Sequence, residues 1–192
     1  MPIDPAILYI SNVINNPKKW TVGQNIQQNG PNLTIAKTKK IVLKKDINDR
    51  IIICVNFLKS KGYSLNGIAG LLGNLLNEND TLDPSRGEDN PVVKGSRGGY
   101  GIVQWTGPRR RDLERSLGSN LNNLNSQLEF MVNELNNKYK NLNNTLKNPS
   151  STIYQTTYDV LYDFEVPLVK NLNPRLNSAN YVLELIKENN LF

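Results

Sequence analysis

The spacing of apolar residues predicts helices along most of the chain. From Asp46 onward, apolar residues recur every three or four positions, which is the period of a helix with one buried face. The first run consists of Ile47, Ile51, Cys54, Val55 and Leu58. Asp46 is expected to cap this helix at its start, and the "KSKG" that follows is expected to end it.

The second predicted helix follows Ser64, which is a favourable N-cap residue. Its apolar stripe consists of Leu65, Ile68, Leu72, Leu75 and Leu76. Glu78 lies at the edge of that stripe, beside Leu71 and one turn beyond Asn74. Glycines at positions 67, 70 and 73 cost the helix up to about 1 kcal/mol each relative to alanine. We therefore expect another chain element or a ligand to lie close against this helix.

A loop, a small β element and further helices are predicted after the second helix. The stretch "DTLDPSRGEDNPVVKGSRGGYGIVQWTG" is rich in turn residues and predicts a loop and then a short hairpin or extended segment that ends at Trp105. Pro108 fits the first turn of a helix that stops at Gly118. Apolar spacing from Leu121 to Leu146 predicts one long helix, ended by Pro149. Two further helices are predicted over "STIYQTTYDVLYDF" and "NSANYVLELIKENN", so the fold class is mainly α with a small β element.

Residues 1–45 have a different pattern. They contain four prolines, a loop-like "QQNGPN" and the alternating stretch "TKKIVLKK", which is typical of an exposed strand or an extended arm. We interpret residues 1–45 as an N-terminal arm or docking segment and residues 46–192 as one globular domain. The opening "MPIDPAILYISNV" has no basic region and no long apolar region, so no signal peptide is predicted.

The composition excludes several kinds of site chemistry. The 192 residues include no histidine and one cysteine, Cys54, so a zinc site or a catalytic imidazole has no ligand set to use. Cys54 stands between apolar residues and is interpreted as a buried small hydrophobe. Carboxylates, lysines and tyrosines remain for acid/base work, and we expect neither a metal nor a cofactor.

The net charge of +6 favours an anionic partner, such as nucleic acid, a membrane surface or an acidic cell wall. The run Arg109 to Arg111 is the strongest basic feature. Asp112 and Glu114 lie within the same turns, so ion pairs along a solvated helix explain the run better than a nucleic-acid surface does. We expect no nucleic acid partner and no membrane insertion, since no stretch approaches the roughly 20 apolar residues of a membrane span.

Three segments in order resemble the tail-associated lysozymes of bacteriophages. They are "IAGLLGNLLNENDTLDP", "GGYGIVQWTGPRRRDL" and "YDFEVP" with Arg175 and Ala179 after it, and together they lie within roughly residues 48–185. The resemblance implies an α+β lysozyme-like fold in which a helical domain carries the small β element beside an active-site cleft. It also implies that Glu78 is the general acid that protonates the glycosidic oxygen of peptidoglycan. Partial burial against Leu71 agrees with this role, because burial favours the protonated form of a carboxyl group.

The second catalytic carboxylate is less well defined by the sequence. Asp80, Asp83, Glu88 and Asp89 all follow Glu78 in the loop, and Asp89 is the preferred candidate because its spacing lets it cross a cleft. Some lysozyme-like enzymes use a single acid and release an anhydro sugar, so a second carboxylate is not essential.

Substrate contacts are predicted from the segment "GYGIVQWTG". Gln104 offers amide hydrogen bonds, Tyr100 lies among glycines that let a sugar approach, and Trp105 offers a stacking face. The alternative for Tyr100 and Trp105 is that both are core aromatics of a tight hairpin. Glu165, in "YDFEVP", is interpreted as forming a buried structural bond.

The resemblance therefore implies a glycoside hydrolase of the muramidase type, with lytic transglycosylase chemistry left open. Such a protein belongs to the phage virion, in the tail, and cuts the host wall while DNA enters the cell; residues 1–45 would contact other tail proteins. One alternative is a non-catalytic wall-binding or structural tail domain of lysozyme-like shape. A basic nucleic-acid-binding protein is the other, although no recognition helix or stacking platform is evident.

Overall fold

The computed structural model describes residues 32–89, 91, 95–167 and 169–192, with side chains from residue 44 onward. Residues 42–192 form one compact unit. Most of the segment assigned as an N-terminal arm, residues 1–45, lies outside the described residues, so its docking role stays a prediction.

The described chain is mainly helical, as the sequence predicted. The helices are α1 (Asn32–Ser60), α2 (Leu65–Glu78), α3 (Gly107–Leu117), α4 (Leu124–Asn137), α5 (Lys140–Lys147), α6 (Ile153–Asp159) and α7 (Leu172–Glu188). A 3-10 turn, Gly118–Asn120, follows α3, and a π-helix, Val160–Glu165, continues α6. In the described ranges, β structure is limited to one antiparallel bridge between Gly87 and Tyr100. None of the described helices combines the length and the apolar character needed to cross a membrane.

Helix α1 begins earlier than the sequence predicted. Residues 38–45, interpreted as an exposed strand or extended arm, are helical, and Asp46 lies inside α1 instead of capping it. The reason is that residues 32–60 contain no glycine or proline and include six lysines and three leucines, which favour helix. The predicted end is confirmed, because α1 stops at Ser60 and Gly62 follows with φ +81°.

Helix α2 lies against three other helical segments through its glycines. A Cβ atom at Gly67 would lie 1.8 Å from the carbonyl oxygen of Leu146 in α5. At Gly73 it would lie 2.6 Å from the backbone nitrogen of Ala179 in α7, and Gly70 faces Thr156 of α6 in the same way. The close approach expected from the three glycines is therefore confirmed, and other parts of the chain make it.

The single long helix predicted between Leu121 and Leu146 is wrong, because the structure divides that stretch into α4 and α5. The chain leaves the helical path at Tyr139, with φ −125° and ψ 46°. The Tyr139 ring packs edge-on against Phe164, with 5.1 Å between the ring centroids. Asparagines before the break are weak helix formers, and the break lets the apolar side of α5 turn to the core. A shallow depression at the break is lined by residues 137–142 and Asp163 and includes none of the predicted site residues.

Cys54 occupies the centre of the apolar core and is fully buried. Burial raises the pKa of its thiol to about 12. Because the thiolate is the reactive form, the thiol is inert at neutral pH. The interpretation of Cys54 as a small buried hydrophobe is confirmed.

Candidate active site

Glu78 is the last residue of α2 and is held by a cation from α7. Arg175 donates from Nη2 to Glu78 Oε1 at 2.6 Å. The Glu78 side chain is 24% exposed, whereas that of Arg175 is 7% exposed. The helix that carries the acid is fixed at its other end by Ser64, whose Oγ accepts a hydrogen bond from Gly67 N at 3.0 Å. The Glu78 carboxyl group is therefore partly exposed, while the positive charge that it bonds, the Arg175 guanidinium, is buried.

Arg175 is a site residue that periodicity did not reveal. It lies one turn before Ala179, the residue that packs on Gly73, so α2 and α7 meet along one face. Arg175 Nη1 also donates to the backbone oxygen of Asn74 at 3.4 Å. The only signal for it in the sequence was its place in the third family-like segment.

Glu165 brings a second carboxyl group to the same region. It ends the π-helix Val160–Glu165, is half-buried, and its Oε1 is shielded from solvent with no hydrogen-bond partner among the described residues. Burial and, to a smaller extent, the negative charge of Glu78 raise the pKa of Glu165 to about 8, while Arg109 and Arg175 oppose the shift. The structure thus shows the expected burial but gives Oε1 no structural bond from a described residue.

Glu134 of α4 forms a buried ionic group that sequence reasoning missed. Arg109 donates two hydrogen bonds to Glu134, from Nε to Oε1 at 3.0 Å and from Nη2 to Oε2 at 2.9 Å. The guanidinium of Arg109 also lies over the Phe164 ring, 4.7 Å from its centroid. The pair ties α3 to α4 and to the π-helix, and its bidentate geometry fixes the orientation of both side chains.

Trp105 is fully buried. Its indole Nε1 donates to Glu134 Oε2 at 2.7 Å, and its ring packs edge-on against Phe130 at 5.6 Å between centroids. The described structure therefore leaves no exposed face of this ring for a sugar, and the core alternative describes its position.

Tyr100 and Gln104 lie in one tight turn beside the β bridge. The backbones of Tyr100 and Trp105 exchange two hydrogen bonds of 3.1 and 3.0 Å. Gln104 has φ +51°, and its Nε2 donates to Gly101 O at 2.8 Å and to Arg86 O at 3.3 Å. Its Oε1 accepts no hydrogen bond among the described contacts. Tyr100 is half-buried, with its ring 4.9 Å from the Arg110 guanidinium.

Asp89 is exposed and makes no described contact with Glu78. Residues 90 and 92–94 beside it lie outside the described structure. Its assignment as the second carboxylate stays a prediction. Asp83, by contrast, forms a turn, because its Oδ1 accepts a hydrogen bond from Ser85 N at 2.8 Å.

The arginines of α3 make ion pairs of two kinds, one along the helix and one with a neighbouring helix. Arg110 pairs with Glu114 at 3.0 Å, as the spacing predicted, and Arg115 pairs with Asp112 at 3.4 Å. Arg109 turns inward to Glu134 instead. Two of the three arginines of the run, Arg109 and Arg110, therefore make ion pairs within the described structure.

A mainly helical domain that presents a glutamate at the end of a glycine-rich helix, beside a short β element, is the architecture of a lysozyme-like protein. A sequence profile described as phage tail lysozyme matches residues 50–186. The chain belongs to the phage tail lysozyme family, which places it among lysozyme-like proteins that act on peptidoglycan. No curated protein matches the chain significantly.

Proposed function

We propose that this protein is a peptidoglycan glycosidase in which Glu78 is the general acid. It acts as a component of the phage tail and opens the host wall while DNA enters. The observation that carries the proposal is the position of Glu78, which ends α2 with a partly exposed carboxyl group on the buried Arg175. A family of lysozyme-like proteins is the context in which this carboxyl group would meet a glycosidic bond.

Glu78 would donate its proton to the glycosidic oxygen as the bond to the leaving sugar breaks. The carboxylate that remains carries a negative charge, and Arg175 Nη2 is already placed 2.6 Å from Oε1 to compensate it. Such a preorganised charge requires little rearrangement during the reaction. Arg175 is therefore a positioning residue for the acid.

When the glycosidic bond breaks, the sugar that stays bound becomes positively charged, and a second group decides which product it forms. Asp89 would act as nucleophile at roughly 5 Å from the acid or as general base for water at roughly 6.5–9.5 Å. If neither applies, the sugar's own substituent closes an anhydro product, which is lytic transglycosylase chemistry. Product analysis by mass spectrometry distinguishes the hydrolysed from the anhydro sugar.

Gln104 and Tyr100 are proposed to contact the glycan. Gln104 Nε2 is occupied within its own turn, so its Oε1 is the atom that would accept from a sugar hydroxyl or acetamido group. The net charge of +6 would favour binding to an anionic wall.

The direct test compares Glu78→Gln with the wild type on a suspension of purified peptidoglycan. We expect clearing to slow by about 100-fold or more, because general acid catalysis contributes about 10²–10⁴-fold. Glu129→Gln is the matched control, since Glu129 is an ion-paired glutamate far along the chain, bonded to Lys61 on the surface. Thermal melting of each variant shows whether it is folded.

Full clearing by a folded Glu78→Gln protein would refute the assignment of Glu78. If the folded wild type sediments with walls but releases no sugar ends, the protein is a wall-binding or structural tail domain instead.

A further inference from the structure

Three buried side-chain atoms have no hydrogen-bond partner within the described part of the chain: Asn74 Oδ1, Glu165 Oε1 and Arg175 Nε. They belong to one region, because Arg175 bonds to Asn74 O and to Glu78, and the π-helix that ends at Glu165 packs against α2, the helix of Asn74 and Glu78. An unpaired buried polar atom destabilises the folded state, so such atoms are uncommon and their clustering calls for a functional explanation.

The cluster contains both an unused donor and an unused acceptor. Arg175 uses Nη1 and Nη2 but not Nε, while Glu165 Oε1 accepts nothing that the structure describes. Arg109, the other cation that acts on Glu165, has Nε and Nη2 committed to Glu134. Arg175 is therefore the cation that has a buried donor left for a second carboxylate.

The charged groups that face Glu165 come from four helices. They are Glu78 of α2, Arg109 of α3, Glu134 of α4 and Arg175 of α7. The bidentate bond between Arg109 and Glu134 balances that pair internally. This leaves one guanidinium, Arg175, which bonds Glu78 and whose charge also acts on Glu165.

We propose that Glu78 and Glu165 share one proton and compete for Arg175, so that Glu165 is a positioning residue that sets when Glu78 can donate. This inference rests on the proposed function, because it names the source of the proton that Glu78 delivers. The structure shows Arg175 bonded to Glu78, and in the proposed resting arrangement the proton is on Glu165.

Activation exchanges the two partners of Arg175. The O–H bond of Glu165 breaks, an O–H bond forms on Glu78, and Arg175 turns its free Nε donor toward the new Glu165 carboxylate. Water carries the proton, which it can deliver because the Glu78 side chain is 24% exposed. The three groups keep a total charge of zero before and after, and Arg175 stays positive throughout. After Glu78 has protonated the glycosidic oxygen, solvent restores the missing proton.

The first test is the pH profile of wall clearing, expressed as kcat/KM, for the wild type, Glu165→Gln and Glu165→Asp. In Glu165→Gln we expect the alkaline limb of the profile to move to lower pH by about one unit or more. At pH 7, kcat/KM should fall about tenfold, because Glu78 must hold the proton alone. Glu165→Asp keeps a second carboxyl group and should keep the limb near its wild-type position. A uniform loss without a moved limb, or no loss, overturns the proposal in favour of a purely structural Glu165.

The second test does not depend on lysis. The carboxyl carbon of Glu165 is followed by NMR through a pH titration in the wild type and in Glu78→Gln. Removing the competing carboxylate should lower the Glu165 midpoint by about one pH unit or more, because Arg175 then has Glu165 as its remaining carboxylate. An unchanged midpoint overturns the shared proton. A shifted midpoint in a protein that never clears walls would keep the shared proton and refute the glycosidase instead.

Discussion

Arg175 stabilises the protein and the candidate site through the same guanidinium. Its side chain is 7% exposed and bonds a carboxyl group that is 24% exposed, so the pair is screened less than a surface ion pair. The contacts of Arg175 with Glu78 and with Asn74 O join α2 to α7 across 97 and 101 residues of sequence. Loss of this one side chain removes a cation, two donors and a packing contact together.

Replacing Arg175 by methionine should lower the free energy of unfolding by about 1–3 kcal/mol, because it leaves Glu78 without its partner. Activity should fall about 10- to 100-fold, as the charge that compensates the Glu78 carboxylate is lost. Arg175→Lys should restore part of the stability, but one ammonium nitrogen cannot reproduce the two guanidinium nitrogens that bond Glu78 and Asn74 O. Urea unfolding and wall clearing measure the two effects.

Arg115→Met is the control for that experiment. Arg115 is 78% exposed in its pair with Asp112, so its replacement should change the free energy of unfolding by less than about 0.5 kcal/mol. An Arg175→Met protein as stable as the control would contradict a stabilising role for the pair.

At this scale the sequence could predict Glu78 as a candidate but not the groups around it. Glu78 was found because it lies at the edge of a regular apolar stripe and in a family-like segment. Arg175 and Glu134 were not, because their functions depend on tertiary neighbours, and a buried arginine has no periodic signature. Trp105 shows the same limit. The sequence around it is compatible with a sugar-stacking face and with a core ring, and its bond to Glu134 is the contact that assigns it to the core.

At the scale of elements, the close spacing between α2 and α7 depends on Gly73, which has no side chain. Gly73→Ala would place a Cβ atom 2.6 Å from the backbone nitrogen of Ala179, and backbone cannot move aside cheaply. We expect a net loss of about 1–3 kcal/mol of unfolding free energy, since overpacking outweighs the gain in helix propensity. Clearing should also slow, because the same displacement separates Glu78 from Arg175. Thermal melting and the clearing assay are the measurements.

Gly87→Ala provides the comparison for Gly73→Ala. A Cβ atom at Gly87 would meet the Tyr100 ring at 3.8 Å, which is ordinary contact, so little change is expected. Equal stability of the two variants would show that the α2–α7 interface tolerates a wider spacing.

Element boundaries were predictable where a local signal exists. Ser64 and Gly118 bound helices α2 and α3 as expected, because capping and termination depend on nearby backbone groups. The break at Tyr139 was not predictable, since leucines continue at helical spacing on both sides and the ring's contact with Phe164 is a tertiary one. The start of α1 was missed because its alternating lysines resembled a strand.

At the scale of the whole molecule, Glu165 links stability to pH. Its pKa rises from 4.5 to about 8 on folding, so the folded state binds this proton more tightly than the unfolded state does. The contribution of this group is fully present below about pH 4.5 and is lost progressively as the pH rises toward 8. Above that pH, the folded protein carries a buried carboxylate at the expense of stability.

The stability of Glu165→Gln should therefore depend less on pH in this range than that of the wild type. The melting temperature of the wild type should fall relative to the variant between pH 5 and pH 8, by about 2–4 °C for each kcal/mol of lost stability. Scanning calorimetry in a pH series measures the difference, with Glu129→Gln expected to follow the wild type. Parallel curves for Glu165→Gln and the wild type would mean that Glu165 is ionised in the folded protein at neutral pH.

The bond between Glu78 and Arg175 also has a consequence for biosynthesis. Glu78 leaves the ribosome 97 residues before the arginine that holds it, so a nascent chain carries Glu78 without its partner while those residues are made. Neither the ion pair nor the α2–α7 face can form until α7 has emerged. On the proposed function, the candidate acid would thus lack its positioning arginine in the unfinished chain, and the site would be complete only after α7 packs against α2.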